Sequence, residues 1–159
     1  MILELPTGEC ILNATPDDIR TLLKQGDDYW YNAGDAVLST DGIGNSETML
    51  LIFRDKKYGY YILDLNSYQA PSGDEKDKSL LIVYDMGGDP FLVPLCCHLN
   101  YSQTESILLH FLQSGKRLNG EKWYDIYEGQ EECFIDNELF CNCVFGEMLK
   151  IRNGKVTRL

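Results

Sequence analysis

The sequence predicts one α+β domain over residues 1–159, with a largely antiparallel sheet, two main helices and a C-terminal β-hairpin. Three observations point there. Two segments carry helix caps and an apolar helical stripe. Between and after them run short segments rich in strand-forming residues, separated by turn chemistry. Near the end, Asn153-Gly154 is a two-residue hairpin signal.

In chain order, Thr15-Pro16-Asp17-Asp18 is a helix start: a capping hydroxyl, a proline suited to the first turn, and two acids at the positive pole. Ile19, Leu22 and Leu23 form its stripe, and Gly26 is expected to close it. Asp27-Asp28-Tyr29-Trp30-Tyr31-Asn32 reads as a loop. One short element cannot bury three consecutive aromatics, so some are expected at the surface. Strands are expected at Ala36–Thr40, Glu47–Arg54 and Tyr58–Leu65, the last two joined by the turn-forming Asp55-Lys56-Lys57-Tyr58-Gly59. Asn66–Lys78 is polar, contains Pro71, Ser72 and Gly73, and reads as a mobile loop. Leu80–Asp85 and Phe91–Leu95 form a further strand pair around Met86-Gly87-Gly88-Asp89-Pro90.

The second helix is expected to start with a capping box of Ser102 and Glu105. It continues through Ile107, Leu108, Phe111 and Leu112 and stops at Gly115, with Lys116 and Arg117 near its negative pole. Trp123, Tyr124, Ile126 and Tyr127 then suit a strand. Residues 128–138 hold five acids and no base, which predicts a surface loop. Glu138–Val144 is expected as a strand, and Met148–Ile151 with Lys155–Leu159 as the terminal hairpin.

The net charge is −11, and residues 1–75 carry 5 basic against 13 acidic side chains. A nucleic-acid partner is disfavoured, because phosphates need a basic face. A basic protein partner is compatible, since complementary charge steers association. The first residues lack a basic segment followed by an apolar run, so no signal peptide is expected. No stretch approaches the ~20 apolar residues of a membrane helix. A soluble cytoplasmic protein without membrane contact is therefore expected.

Six cysteines are present. Adjacent Cys96-Cys97, and Cys141 with Cys143, make a poor disulfide framework, so inert reduced thiols are expected. With only His98 and His110 beside them, the usual metal-ligand spacings are missing, and neither metal nor cofactor is expected. No dinucleotide fingerprint, phosphate loop or nucleophile elbow occurs. Asp64 and Asp85 end candidate strands and read as solvent-facing or turn-capping acids. No catalytic residues are expected. The competing enzymatic or metal-binding reading would use Cys96, Cys97, His98, Cys141 or Cys143.

The stretch Phe111, Gly115, Lys116, Arg117 and Trp123 resembles the most recognisable motif of bacterial immunity protein family one: a helix ending in Gly-Lys/Arg-Arg-Pro, then a tryptophan opening a strand. The order of elements upstream is similar, so the resemblance covers about 14–127 and leaves 128–159 as an extension. Leu118 stands where that family has proline. The resemblance implies a cytosolic immunity protein that binds a cognate toxin domain, a nuclease or nucleic-acid deaminase, and occludes its active site. A scaffold module of another immunity superfamily, binding on a different fold, is the alternative within that class. Exposed acids with an aromatic anchor are expected to make the contact: Asp27, Asp28, Tyr29, Trp30, Asp74, Glu75, Asp77, Asp85 and Asp89. Gly115 and Trp123 are expected to be structural.

Overall fold

The structure is a computed structural model. It describes residues 1–41, 48–73, 77–86, 89–128, 130, 138–139 and 142–159. The α+β class holds, with every strand pairing antiparallel.

The chain opens with a hairpin of β1 (Ile2–Glu4) and β2 (Cys10–Leu12), unexpected because each strand is only three residues long. Helix α1 (Pro16–Leu23) starts as anticipated: Thr15 Oγ1 accepts from Asp18 N, and Asp18 Oδ2 accepts from Thr15 N at 2.8 Å. Its end differs. Gly26 is the N-cap of a second helix, α2 (Asp27–Ala33), so the expected aromatic loop is helical. Strands β3 (Ala36–Ser39), β4 (Met49–Asp55) and β5 (Gly59–Asp64) follow. The β4–β5 turn is held by Asp55 Oδ1, which accepts from Lys57 N at 2.7 Å and Tyr58 N at 2.9 Å. Gly59 closes it at φ 96°, where a Cβ would stand 2.5 Å from the Leu99 carbonyl oxygen.

The expected mobile loop contains a strand, β6 (Gln69–Pro71). Then come β7 (Leu80–Met86), β8 (Asp89–Pro94), a 3₁₀ turn (Leu95–Cys97) and β9 (His98–Leu99). Helix α3 (Tyr101–Ser114) starts one cap earlier than expected. Asn100 Oδ1 accepts from Gln103 N, and Gln103 Oε1 accepts from Asn100 N at 2.9 Å. Glu105, freed from that duty, accepts from Arg20 Nε of α1 at 2.8 Å. The chain ends with β10 (Trp123–Asp125) and the hairpin β11 (Met148–Arg152) and β12 (Lys155–Arg158). Within the expected strand at Glu138–Val144 none of the described residues is in a strand: Glu138 and Leu139 are helical and 142–144 are turn and irregular chain.

The strands make two sheets. The larger is 8-stranded in the order β10-β6-β5-β4-β3-β1-β2, with β9 on β5; the smaller is 4-stranded, β12-β11-β7-β8. Alternation along β4 and β5 explains their near-continuous burial. Leu50, Ile52, Tyr60 and Ile62 pack with Ile19, Trp30, Leu108 and Phe111 of the helices. Leu51, Tyr61 and Leu63 point the other way and pack with Ile82, Tyr84 and Val93 of the second sheet. The second sheet covers its far face with Leu81, Val83, Leu149 and Val156. The layers are therefore helices, large sheet, small sheet. Among the described residues no helix is long and apolar enough to cross a membrane.

Candidate partner-binding cleft

The Gly-Lys-Arg motif is a structural clamp. Gly115 ends α3 in the left-handed region, φ 68° and ψ 10°. The reversal lets Arg117 fold over the end of β5, where its Nε donates to Asp64 Oδ2 at 2.8 Å and its Nη1 donates to Gln69 Oε1 at 2.6 Å. Its Nη2 also contacts Asp64 and Ser67. The guanidinium lies 4.7 Å from the Trp123 ring centroid. Asp64, expected to face solvent or cap a turn, is 2% exposed and caps the turn after β5 by accepting from Asn66 N at 3.0 Å. β5 and β7 belong to different sheets, so Asp64 and Asp85 do not end paired strands. Trp123 is half-buried.

A cleft of about 370 Å³ opens where α2, the β4–β5 turn and the turn before β11 meet. Its lining holds three carboxylates, Asp27, Asp28 and Asp55, and three cations, Arg54, Lys56 and Lys57. Asp27 and Arg54 neutralise each other at 3.0 Å, and Arg54 Nη1 also donates to the Gln25 carbonyl at 2.5 Å. Asp28 is exposed and makes no ion pair among the described residues. The rim is apolar and open: Tyr31 is 75% exposed, Val144 66% and Phe145 40%. Phe145 meets Tyr31 edge-on at 6.2 Å, Phe53 at 6.1 Å and Tyr84 at 5.4 Å. The turn bearing it is pinned to β7, with Gly146 N donating to the Val83 carbonyl at 2.8 Å and Val83 N donating to the Glu147 carbonyl at 2.9 Å.

Behind Phe53 and Phe145 a second, smaller cavity holds Asp35, the residue between α2 and β3. Its carboxyl is pushed up to about 6 by burial alone.

The acids expected at the interface fare unequally. Asp27 and Asp28 line the cleft. Tyr29 is half-buried against the helical core, edge-on to Trp30 at 5.9 Å. Trp30 is corrected: it is 0% exposed, packs on Tyr60 at 6.5 Å, and so presents nothing to a partner. Asp77 lies apart, before β7; it accepts from Ser79 Oγ at 2.6 Å and pairs with Lys150 at 3.3 Å. Asp74 and Glu75 lie outside the described residues. Asp85 and Asp89 belong to β7 and β8 near their shared turn, and their side chains lie outside the described set. Asp35 and Phe145 were not anticipated, and Tyr31 was expected only as one of three aromatics of which some reach the surface. Helical phase is the signal that could have found Tyr31: if Trp30 points inward, its neighbour one position on points about 100° away.

No family model, curated protein or solved structure matches this chain.

Cys96, Cys97 and His98 form a separate, buried cluster. Cys96 and Cys97 are 3% and 0% exposed, with sulfurs 4.0 Å apart. The Cys96 contact, then burial, pushes the Cys97 thiol far above its ordinary range, which disfavours the nucleophilic thiolate. His98 Nε2 lies 2.6 Å from Tyr84 Oη, and Nδ1 lies 3.2 Å from the Leu95 carbonyl oxygen. Burial lowers its pKa to about 4, so the ring is neutral at pH 7. A carbonyl can only accept, so Nδ1 carries the proton and the Tyr84 hydroxyl donates to Nε2. Among the described residues no three His, Cys, Asp or Glu side chains converge as a metal site; Cys141 lies outside that set.

Proposed function

We propose that the protein is an immunity-type inhibitor, which binds a basic toxin domain in the cytosol of the producing cell and covers that toxin's active site. The observation carrying this reading is the cleft: exposed Tyr31 and Phe145 stand beside Asp28, which makes no ion pair among the described residues. Open aromatics next to an acid of that kind suit a protein interface, where rings anchor and acids steer. The overall charge of −11 favours a partner that itself carries a phosphate-binding, basic cleft. The clamp of Gly115, Arg117 and Trp123 supports the resemblance, because those residues form one physical unit. The accessible surface is 8528 Å². A standard interface of roughly 800 Å² per partner would cover about a tenth of it, so the flanks of α2 and the 142–146 turn are needed as well as the cleft.

The test is co-expression with the toxin encoded by the neighbouring gene. Rescue of growth and a co-purifying complex are expected. Failure of both would overturn the reading.

A further inference from the structure

The cavity behind Phe145 combines features that a packed core avoids. Tyr61 is 2% exposed, and its buried hydroxyl has no hydrogen-bond partner among the described residues. Burial, and then the nearby Cys97 and Asp35, hold the proton on that hydroxyl. Asp35 lines the same space and makes no hydrogen bond or ion pair among the described residues. The remaining walls are mainly Phe53, Tyr84, Phe91 and Phe145, and no lysine or arginine among the described residues lines the space. An acid and an orphaned hydroxyl within a ring of aromatic faces suit a cation, because ring faces are negative and the carboxylate completes the charge.

Size narrows the choice. The space is about 20 Å³. That admits one group of water or ammonium size, and not a planar guanidinium or a trimethylammonium. We propose that this cavity is a socket for a single primary ammonium group, the end of a lysine side chain on the partner protein, entering past Phe145 from the larger cleft. The proposal rests on the reading of the protein as a binder of a basic partner. Phe53 and Phe145 line both spaces, so the route from cleft to socket is one ring deep. A metal ion fits worse, because among the described residues the side-chain oxygens of the walls are the Asp35 carboxylate, the Tyr61 hydroxyl and the Tyr84 hydroxyl, the last engaged with His98.

The experiment uses the free, full-length protein and needs no toxin, so its failure is separate from failure of the co-expression test. The protein is labelled with ¹³C at aspartate carboxyls, and the Asp35 resonance is assigned with Asp35→Asn. n-Butylammonium, guanidinium and tetramethylammonium chlorides are titrated at pH 7.5 and constant ionic strength. n-Butylammonium is expected to shift the Asp35 resonance saturably, with an apparent affinity at least about tenfold tighter than either other cation. Asp35→Asn is expected to remove the saturable response of the Tyr61 and Phe145 ring signals to n-butylammonium. Equal, non-saturating shifts with all three cations would overturn the proposal and leave the cavity a site for water only. The wild-type titration decides this even if Asp35→Asn does not fold.

Discussion

Arg117→Ala should be among the most damaging substitutions outside the hydrophobic core. The Asp64 side chain is 3% exposed, and Arg117 is the cation that neutralises it. Removing the guanidinium leaves the carboxylate with the Asn66 amide and no counter-charge. It also removes the donors to Gln69 and Ser67 and the stack on Trp123. Orphaning one partner of a buried pair costs ~3–5 kcal/mol, and the 29% exposure of Arg117 lets water recover part of that. A loss of ~2–4 kcal/mol is therefore expected in urea unfolding at pH 7. Arg117→Lys should restore only a minor part, because an ammonium cannot reach Asp64, Ser67 and Gln69 together. Adding Asp64→Asn to Arg117→Ala should cost less than the two single changes summed, with a coupling of ~1–3 kcal/mol. A loss under ~1 kcal/mol for Arg117→Ala, or strict additivity in the cycle, would refute the clamp.

Asp35→Asn is expected to stabilise the protein by ~2 kcal/mol at pH 7. The folded carboxyl titrates near 6, above its ordinary value, so the folded state holds an extra proton between about pH 4 and 6. The Asp35 contribution to stability should fall as pH rises through that window. His98 works the other way, since its folded pKa near 4 makes stability rise with pH between about 4 and 6.5. The variant should therefore gain stability with pH across that window more steeply than the wild type, and urea midpoints check this. Trp30→Ala should cost ~3–5 kcal/mol of stability by the same unfolding measurement, since the ring is fully buried. Tyr31→Ala should change stability by under ~0.5 kcal/mol yet weaken the toxin complex by ~2 kcal/mol or more in calorimetry. Gly115→Ala should lose ~1–2 kcal/mol through its φ of 68°, read as a lowered thermal midpoint.

Local signals were legible in the chain and distant ones were not. The Thr15 cap, the Gly115 stop, the β4–β5 turn and the Asn153-Gly154 hairpin each depend on a few neighbouring residues. The cap of α3 was misplaced because two boxes compete within six residues; the chain leaves β9 at Leu99, which makes Asn100 the first free cap. Helix α2 was hidden by its aromatic content, which has low helix propensity and forms a helix here through Trp30 packing. The division into two sheets depends on β7 pairing with β11, which periodicity cannot reveal. The same holds for the cleft. Asp27 and Asp28 were identifiable from composition, whereas Asp35, Tyr31 and Phe145 come together only when α2, β4 and the turn before β11 fold against one another.

The position of Phe145 bears on how the domain can be divided. The segment resembling the immunity family ends near residue 127, yet β11 adds a strand to the small sheet and Phe145 walls both cavities. Cutting the chain after the tryptophan strand would strip β7 of a hydrogen-bonded neighbour and uncover Leu81 and Val83. It would also remove the Phe145 wall from the space that holds Asp35. The last thirty residues are thus inseparable from both spaces, and transplanting only the motif-bearing portion onto another scaffold would carry over the Arg117 clamp without the Phe145 wall of the proposed binding face.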